Sequence, residues 1–188
     1  MNNIWFTSDH HFGHTNIIKF CDRPFASVDE MDQVLVETWN KYVQPKDIVI
    51  HLGDFTLRNA KAAYEYISRL NGEVWVIEGS HDDEWYGKSS AIVSPNKPTF
   101  LGSVYFMKHE GKRIFCSHYS HRTWPKSHLG SLHIYGHSHG NLPGLGRSMD
   151  VGVDSAYKIF GEYKPFSFDE VVETLEIFEP FIDNLCGD

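Results

Sequence analysis

Five short runs rich in apolar, β-branched and aromatic residues punctuate the chain, at Asn3 to Thr7, Asp47 to Leu52, Glu73 to Glu78, Arg113 to Cys116 and Leu132 to Tyr135. Their length and composition predict strands buried on both faces. Ser27-Val-Asp-Glu30 has the form of a capping box, and Val28, Met31, Leu35, Trp39 and Tyr42 then recur at helical spacing along one face. A second helix is expected over Ala60 to Leu70, with Gly72 just past its end. Strand, helix, strand, helix, strand is the rhythm of an α/β layer. Glu110-Gly111 predicts a hairpin within Lys108 to Ile114, so the second half is expected to add antiparallel strands, and Asp169 to Leu175 reads as a late helix.

No repeat, low-complexity tract or linker divides the 188 residues, so a single domain over 1–188 is the expectation. No apolar stretch approaches the ~20 residues that span a bilayer, and the N-terminus lacks a secretory pattern, which predicts a cytoplasmic protein with no membrane partner. Cys21, Cys116 and Cys186 are widely spaced and form no CxxC pair, so neither a disulfide framework nor a thiolate zinc site is expected. A net charge of −8 argues against a protein that grips duplex nucleic acid by counterion release. Any phosphate-bearing substrate must find its positive charge locally. Twelve histidines, a large number beside 17 Lys plus Arg, are spread through the chain.

Each apolar run is followed directly by metal-type ligands: SDHH at Ser8 to His11, GDF at Gly53 to Phe55, GSHD at Gly79 to Asp82, SHYSH at Ser117 to His121 and GHSHG at Gly136 to Gly140. Ligands bind outside the carboxyl ends of strands in open α/β sheets, so these five endings are expected to converge. Imidazoles and carboxylates suit divalent ions such as manganese, iron, nickel or zinc. One ion would leave several of these groups unused. Two ions sharing a carboxylate account for them better, because a pair roughly 3.5 to 4 Å apart can hold both oxygens of a displacement at phosphorus.

The ordered series Asp9-x-His11, Gly53-Asp54, Gly79-Ser80-His81-Asp82, His118 and Gly136-His137-Ser138-His139 resembles the calcineurin-like metallophosphoesterases. HFGHTNI at His11 to Ile17 looks like that of small single-domain bacterial and phage-type members. The resemblance implies a two-sheet β-sandwich flanked by helices, of four-layer αββα type. It implies that Asp9, His11 and His139 hold one ion, that His118 and His137 hold the other, and that Asp54 bridges both. Two divalent ions, manganese first and iron, nickel or zinc as alternatives, are the expected cofactors. A water shared by them is a nucleophile near neutral pH. His81 would stand near the leaving group as general acid, oriented by Asp82. The family motif carries Asn where this chain has Ser80, and that Asn gives an amide oxygen to the second ion. A water filling the gap, a weakly held second ion or a deliberately altered residue would each account for Ser80.

Single histidines have plainer readings. His109, His128 and His133 read as loop or surface residues, His51 as a hydrogen-bonded core histidine, and His10 as a residue pointing away from the ligands. His14 and Asn16 are candidates to contact phosphate or to cap a short helix, and Arg58 and Arg122 are the best local cations for a phosphate oxygen. Trp85, Tyr86 and Trp124 either stack a base or pack against the domain. The expected activity is hydrolysis of small phosphodiesters, nucleotides or cyclic nucleotides among them, and of some phosphomonoesters. The competing reading is a binding scaffold, since some proteins of this fold, such as a subunit of the retromer coat, serve assembly with little catalysis. Amide hydrolases with HxH elements sit on barrels of ~250 residues, which this chain cannot supply.

Overall fold

The computed structural model describes residues 2–89 and 97–180. The first three apolar runs form parallel neighbours β1 (Ile4–Thr7), β2 (Ile48–His51) and β3 (Glu73–Val76). Strand β4 (Thr99–Phe100) extends the sheet beside β3, and β9 (Phe166–Ser167) closes its other edge antiparallel to β1. Alternate residues serve opposite faces, as a pleated strand requires. Val49, Val74 and Val76 pack against Met31, Leu35 and Trp39 of α2 (Val28–Tyr42) and Ala63 and Ile67 of α3 (Ala60–Ile67). Phe6 and Ile50 face the other way, into the core shared with a second sheet.

That second sheet runs β5 (Val104–His109), β6 (Lys112–Ser117), β7 (Leu132–Tyr135) and β8 (Ser148–Asp150). The hairpin falls where expected, with Glu110 and Gly111 at φ 46° and 80° between antiparallel β5 and β6. The remaining strands correct the antiparallel expectation: β7 and β8 run parallel to β6, because the chain between them crosses over instead of turning back. Ile114, Cys116, Ile134 and Met149 face Phe6 and Ile50, and Ala156 of α4 (Val153–Phe160) with Val171 and Leu175 of α5 (Phe168–Glu176) completes this core. The protein is thus a two-sheet α/β sandwich with flanking helices.

The helix signals held with small shifts. Ser27 Oγ accepts from Glu30 N at 3.2 Å, but the Glu30 carboxylate reaches back to Ala26 N instead of closing a reciprocal box. The full box forms at Ser167 and Glu170, opening α5. Helix α3 ends at Ile67 rather than Leu70. A short helix, α1 (Ile17–Phe20), follows Asn16 as expected, whereas α4, β8 and β9 were not foreseen. Among the described residues no helix is long and apolar enough to cross a membrane. Cys21 and Cys116 are free, and Cys186 lies outside the described residues.

Candidate metal centre

The parallel strands of both sheets deliver their carboxyl ends to one place. Asp9 and His11 follow β1, Asp54 follows β2, Ser80 and His81 follow β3, His118 follows β6, and His137 and His139 follow β7. The loops are stitched together: Asp9 N donates to Gly53 O at 3.1 Å, His11 N to Asp54 O at 3.1 Å and Gly136 N to His118 O at 3.0 Å. Gly79 and Gly136 permit the approach. A Cβ on Gly79 would lie 2.1 Å from Asp54 N, and one on Gly136 would lie 2.3 Å from Ser8 Oγ.

Two ligand groups result, Asp9 with His11 and His139, and Asp54 with His118 and His137, each with its donor atoms within 4.8 Å of one another. Asp54 also spans the space between the groups. Its Oδ2 lies 3.6 Å from His11 Nε2 and its Oδ1 lies 3.4 Å from His118 Nε2. Five of these six residues hold left-handed backbone: Asp9 (φ 59°), His11 (52°), Asp54 (55°), His137 (66°) and His139 (49°). Such conformations cost non-glycine residues about 1 kcal/mol or more each, and strain of this kind collects at functional sites.

The electrostatics fit a cation. Both ring nitrogens of His11 and Nε2 of His118 are buried without a hydrogen-bond partner among the described residues. Burial pushes the Asp9 carboxyl up to about 7 and the His11 imidazolium down to about 2. Burial raises the Asp54 pKa, but the His118 ring 3.4 Å away, the His11 charge and the His81 backbone N–H outweigh it and leave the carboxyl below its usual range. His118 Nδ1 lies 2.8 Å from Leu52 O and, donating its N–H to that carbonyl, leaves the free lone pair on Nε2. The donors are nitrogen and oxygen throughout, the set that borderline and hard divalent ions take. A third grouping, Cys21 with Asp154, shares His139.

Asp82 requires a correction. Its carboxylate is fully buried and accepts from Asp54 N (2.8 Å), Gly79 N (2.9 Å), Phe55 N (3.0 Å) and Trp85 Nε1 (2.8 Å), so it clamps the two loops and does not orient His81. Backbone N–H groups in a dry loop crossing need an acceptor, and Asp82 is it. His81 is exposed, donates its backbone N–H to Asp54 Oδ1 at 2.9 Å and sets its ring edge-on to His11 at 5.5 Å. Ser80 Oγ donates to Asp54 Oδ1 and Oδ2 at 3.2 and 3.0 Å.

Of the substrate candidates, His14 stands beside His11, with ring centroids 5.6 Å apart, and burial with the nearby His81 charge lowers its pKa. Arg58 donates to Gly13 O at 3.0 Å on the same loop. Asn16 sits exposed at the start of α1, its side chain making no cap. Arg122 is exposed and makes no hydrogen bond or ion pair among the described residues. His10 and His51 bond each other at 2.9 Å beneath the ligand loop, as core residues. Trp85 and Trp124 are buried packing. His133 corrects its reading as a loop residue: it is fully buried in β7.

Sequence reasoning missed Arg23 and Asp154. Arg23 Nε and Nη2 each lie 2.8 Å from Asp154 oxygens, and Asp154 Oδ2 accepts from His139 Nδ1 at 2.6 Å. Burial opposes the His139 imidazolium, but the Asp154 hydrogen bond and the Cys21 and Asp9 interactions lift its pKa to about 10 in the metal-free chain. An isolated Arg before Pro24 and an Asp in an unrecognised helix carry no local signal.

The family model described as calcineurin-like phosphoesterase matches residues 3–165. An uncharacterized protein of Methanocaldococcus jannaschii is 34% identical over 185 residues, covering 94% of this chain and 93% of its own length. The gene 66 protein of Mycobacterium phage D29 is 36% identical over 85 residues, 44% of this chain and 41% of that protein. The crystal structure of an Aquifex aeolicus protein of unknown function superposes with a TM-score of 0.69 at 25% identity, covering 93% of this chain and 100% of that one. With a match that takes in both ligand groups, the chain belongs to the calcineurin-like phosphoesterase family, whose activity is metal-dependent phosphoester hydrolysis.

Proposed function

We propose that this protein is a two-metal phosphodiesterase in which Asp9, His11 and His139 hold one divalent ion, His118 and His137 hold a second, and Asp54 lies between them. The observation that carries this reading is the placement of Asp54, one carboxylate oxygen toward His11 and the other toward His118. When bound, two such ions acidify water and offset charge on the phosphoryl oxygens, which supplies the cation that the chain's −8 charge withholds.

The protein's own groups do the rest. His81, on the open side of the cluster, donates a proton to the departing alkoxide. His14, beside His11, and Arg58, which follows β2 and donates to the Gly13 carbonyl next to His14, face the non-bridging oxygens or the ester substituent. Ser80 acts on the second ion through Asp54, whose two oxygens it already engages, and leaves that ion one amide ligand poorer than the family motif. Manganese is the metal to test first, and iron, nickel and zinc fit the same set of imidazoles and carboxylates without thiolate.

A nucleoside as one arm of the diester is favoured by a cavity of about 360 Å³ beside His139, whose walls include Phe20, Tyr157 and Tyr163. Phe20 is 73% exposed, an apolar ring available to a base. The test is manganese-dependent hydrolysis of a chromogenic aryl diester, the matching monoester and a nucleoside aryl diester, with bound metal counted. Diester turnover that requires manganese and rises with the nucleoside arm supports the reading. A folded, metal-loaded protein that hydrolyses none of the three would sink it and bring the scaffold reading forward.

A further inference from the structure

Arg23 is a buried cation, 3% exposed, that bonds the backbone of the Asp9–His11 loop and, through Asp154, reaches His139. Its Nη2 donates to the Asp9 carbonyl at 2.7 Å and its Nη1 to the His10 carbonyl at 3.0 Å, the peptide group that leads into His11. Its Nε and Nη2 bind Asp154 in a fork across 131 residues of sequence separation, and Asp154 holds the His139 ring by Nδ1.

We propose that Arg23, acting through Asp154 and the two carbonyls, is the positioning residue that builds the first ion site. The inference rests on the two-metal reading. A carboxylate on Nδ1–H fixes the tautomer of a ligating histidine and leaves Nε2 as its donor, and such outer partners typically govern metal affinity by 10- to 100-fold, on the order seen when they are removed. The carbonyl bonds meanwhile pin Asp9 and His11 in left-handed backbone that they would otherwise leave. A contribution to folding alone does not account for the pair, because buried ion pairs are often replaceable by apolar side chains at no cost in stability. The second ligand group has no equivalent: His118 leans on a backbone carbonyl, and no side chain among the described residues hydrogen-bonds the His137 ring.

The experiment is calorimetric manganese uptake by the metal-stripped full chain, alongside thermal unfolding, for the wild type, Asp154→Asn, Arg23→Gln and the double variant Arg23→Met/Asp154→Leu. Arg23→Gln strands a buried carboxylate and is expected to lose stability. The double variant removes both charges and is expected to regain it. Both the double variant and Asp154→Asn should still bind one of the two ions about ten- to a hundredfold more weakly, with the other within about twofold of wild type. Wild-type affinity for both ions in the double variant would reduce Arg23 and Asp154 to folding roles. Equal weakening of both ions would overturn the assignment to one site. Each of those results leaves the two-metal reading standing, whereas a wild-type chain that binds no manganese overturns that reading and this proposal together.

Discussion

His11 and His133 are the same residue type, both almost wholly buried, in two regions that treat them oppositely. On the second sheet, His133 uses both ring nitrogens: Nδ1 lies 3.0 Å from Phe115 O, and Nε2 accepts from His121 N at 2.9 Å. In the strand-end cluster His11 uses neither, and its backbone is held at φ 52°. An unpaired buried nitrogen carries a desolvation cost of about 1–3 kcal/mol that the fold does not recover. His133 belongs to the fold's own hydrogen bonding, while His11 is kept available for a partner from outside. His10 and His51 stand between the two cases, bonded to each other with one nitrogen left over on each. Residue type and burial therefore do not separate His11 from His133; the accounting of their partners does.

The most damaging test of that contrast is Asp54→Asn. The amide keeps the shape and removes the shared charge, so hydrolysis should fall to background and manganese uptake below two equivalents, while circular dichroism stays that of the folded protein. Retention of most of the activity would mean that the groups facing Asp54 are not organised around it. His81→Ala should come next, with turnover reduced about 100- to 10,000-fold, the usual range for a lost proton donor, at unchanged metal content. Unchanged turnover removes His81 from the reaction.

Within the cluster the second group is the more open one, since His137 is exposed and Ser80 stands where an amide ligand is expected. A chelator titrated into the loaded protein should therefore withdraw one ion before the other. Ser80→Asn should narrow the gap by tightening the weaker ion about tenfold, a typical gain for a restored metal contact. If the two ions leave together in both proteins, Ser80 is no weakness in the site.

The parts of this contrast that were legible in the sequence are those written locally. Asp9, His11, Asp54, His118, His137 and His139 each follow an apolar run within a few residues, and parallel strands bring such endings together whatever their separation. Arg23 and Asp154 were invisible because their bond closes across 131 residues with no repeating pattern at either end. Asp82 was misread for the opposite reason. Its neighbour in sequence is His81, but in an irregular loop adjacent side chains diverge, and the carboxylate turned inward to four N–H donors. Strand β8 was missed because Ser148-Met-Asp150 holds no β-branched residue, its place set by pairing with β7.

The smallest effect concerns His133, and its sign follows from linkage. Burial holds the His133 pKa at about 4 in the folded protein, against 6.5 for the free side chain. Between those values the unfolded chain binds a proton that the folded chain refuses, so ν for the unfolded state exceeds that for the native state and stability rises with pH. The His133 contribution is thus complete above pH 6.5 and is lost as pH falls toward 4, at up to about 1.4 kcal/mol per unit. His133→Gln keeps one donor and one acceptor but does not titrate. Its own deficit relative to wild type should therefore shrink by about 2 kcal/mol between pH 7 and pH 5 in urea unfolding of the metal-stripped proteins. The other buried histidines titrate in both proteins and cancel in the difference. If the two stability profiles run parallel instead, His133 accepts a proton in the fold as readily as in the unfolded chain. The separation between a histidine satisfied by the fold and one held open for metal would then need another basis than partner accounting.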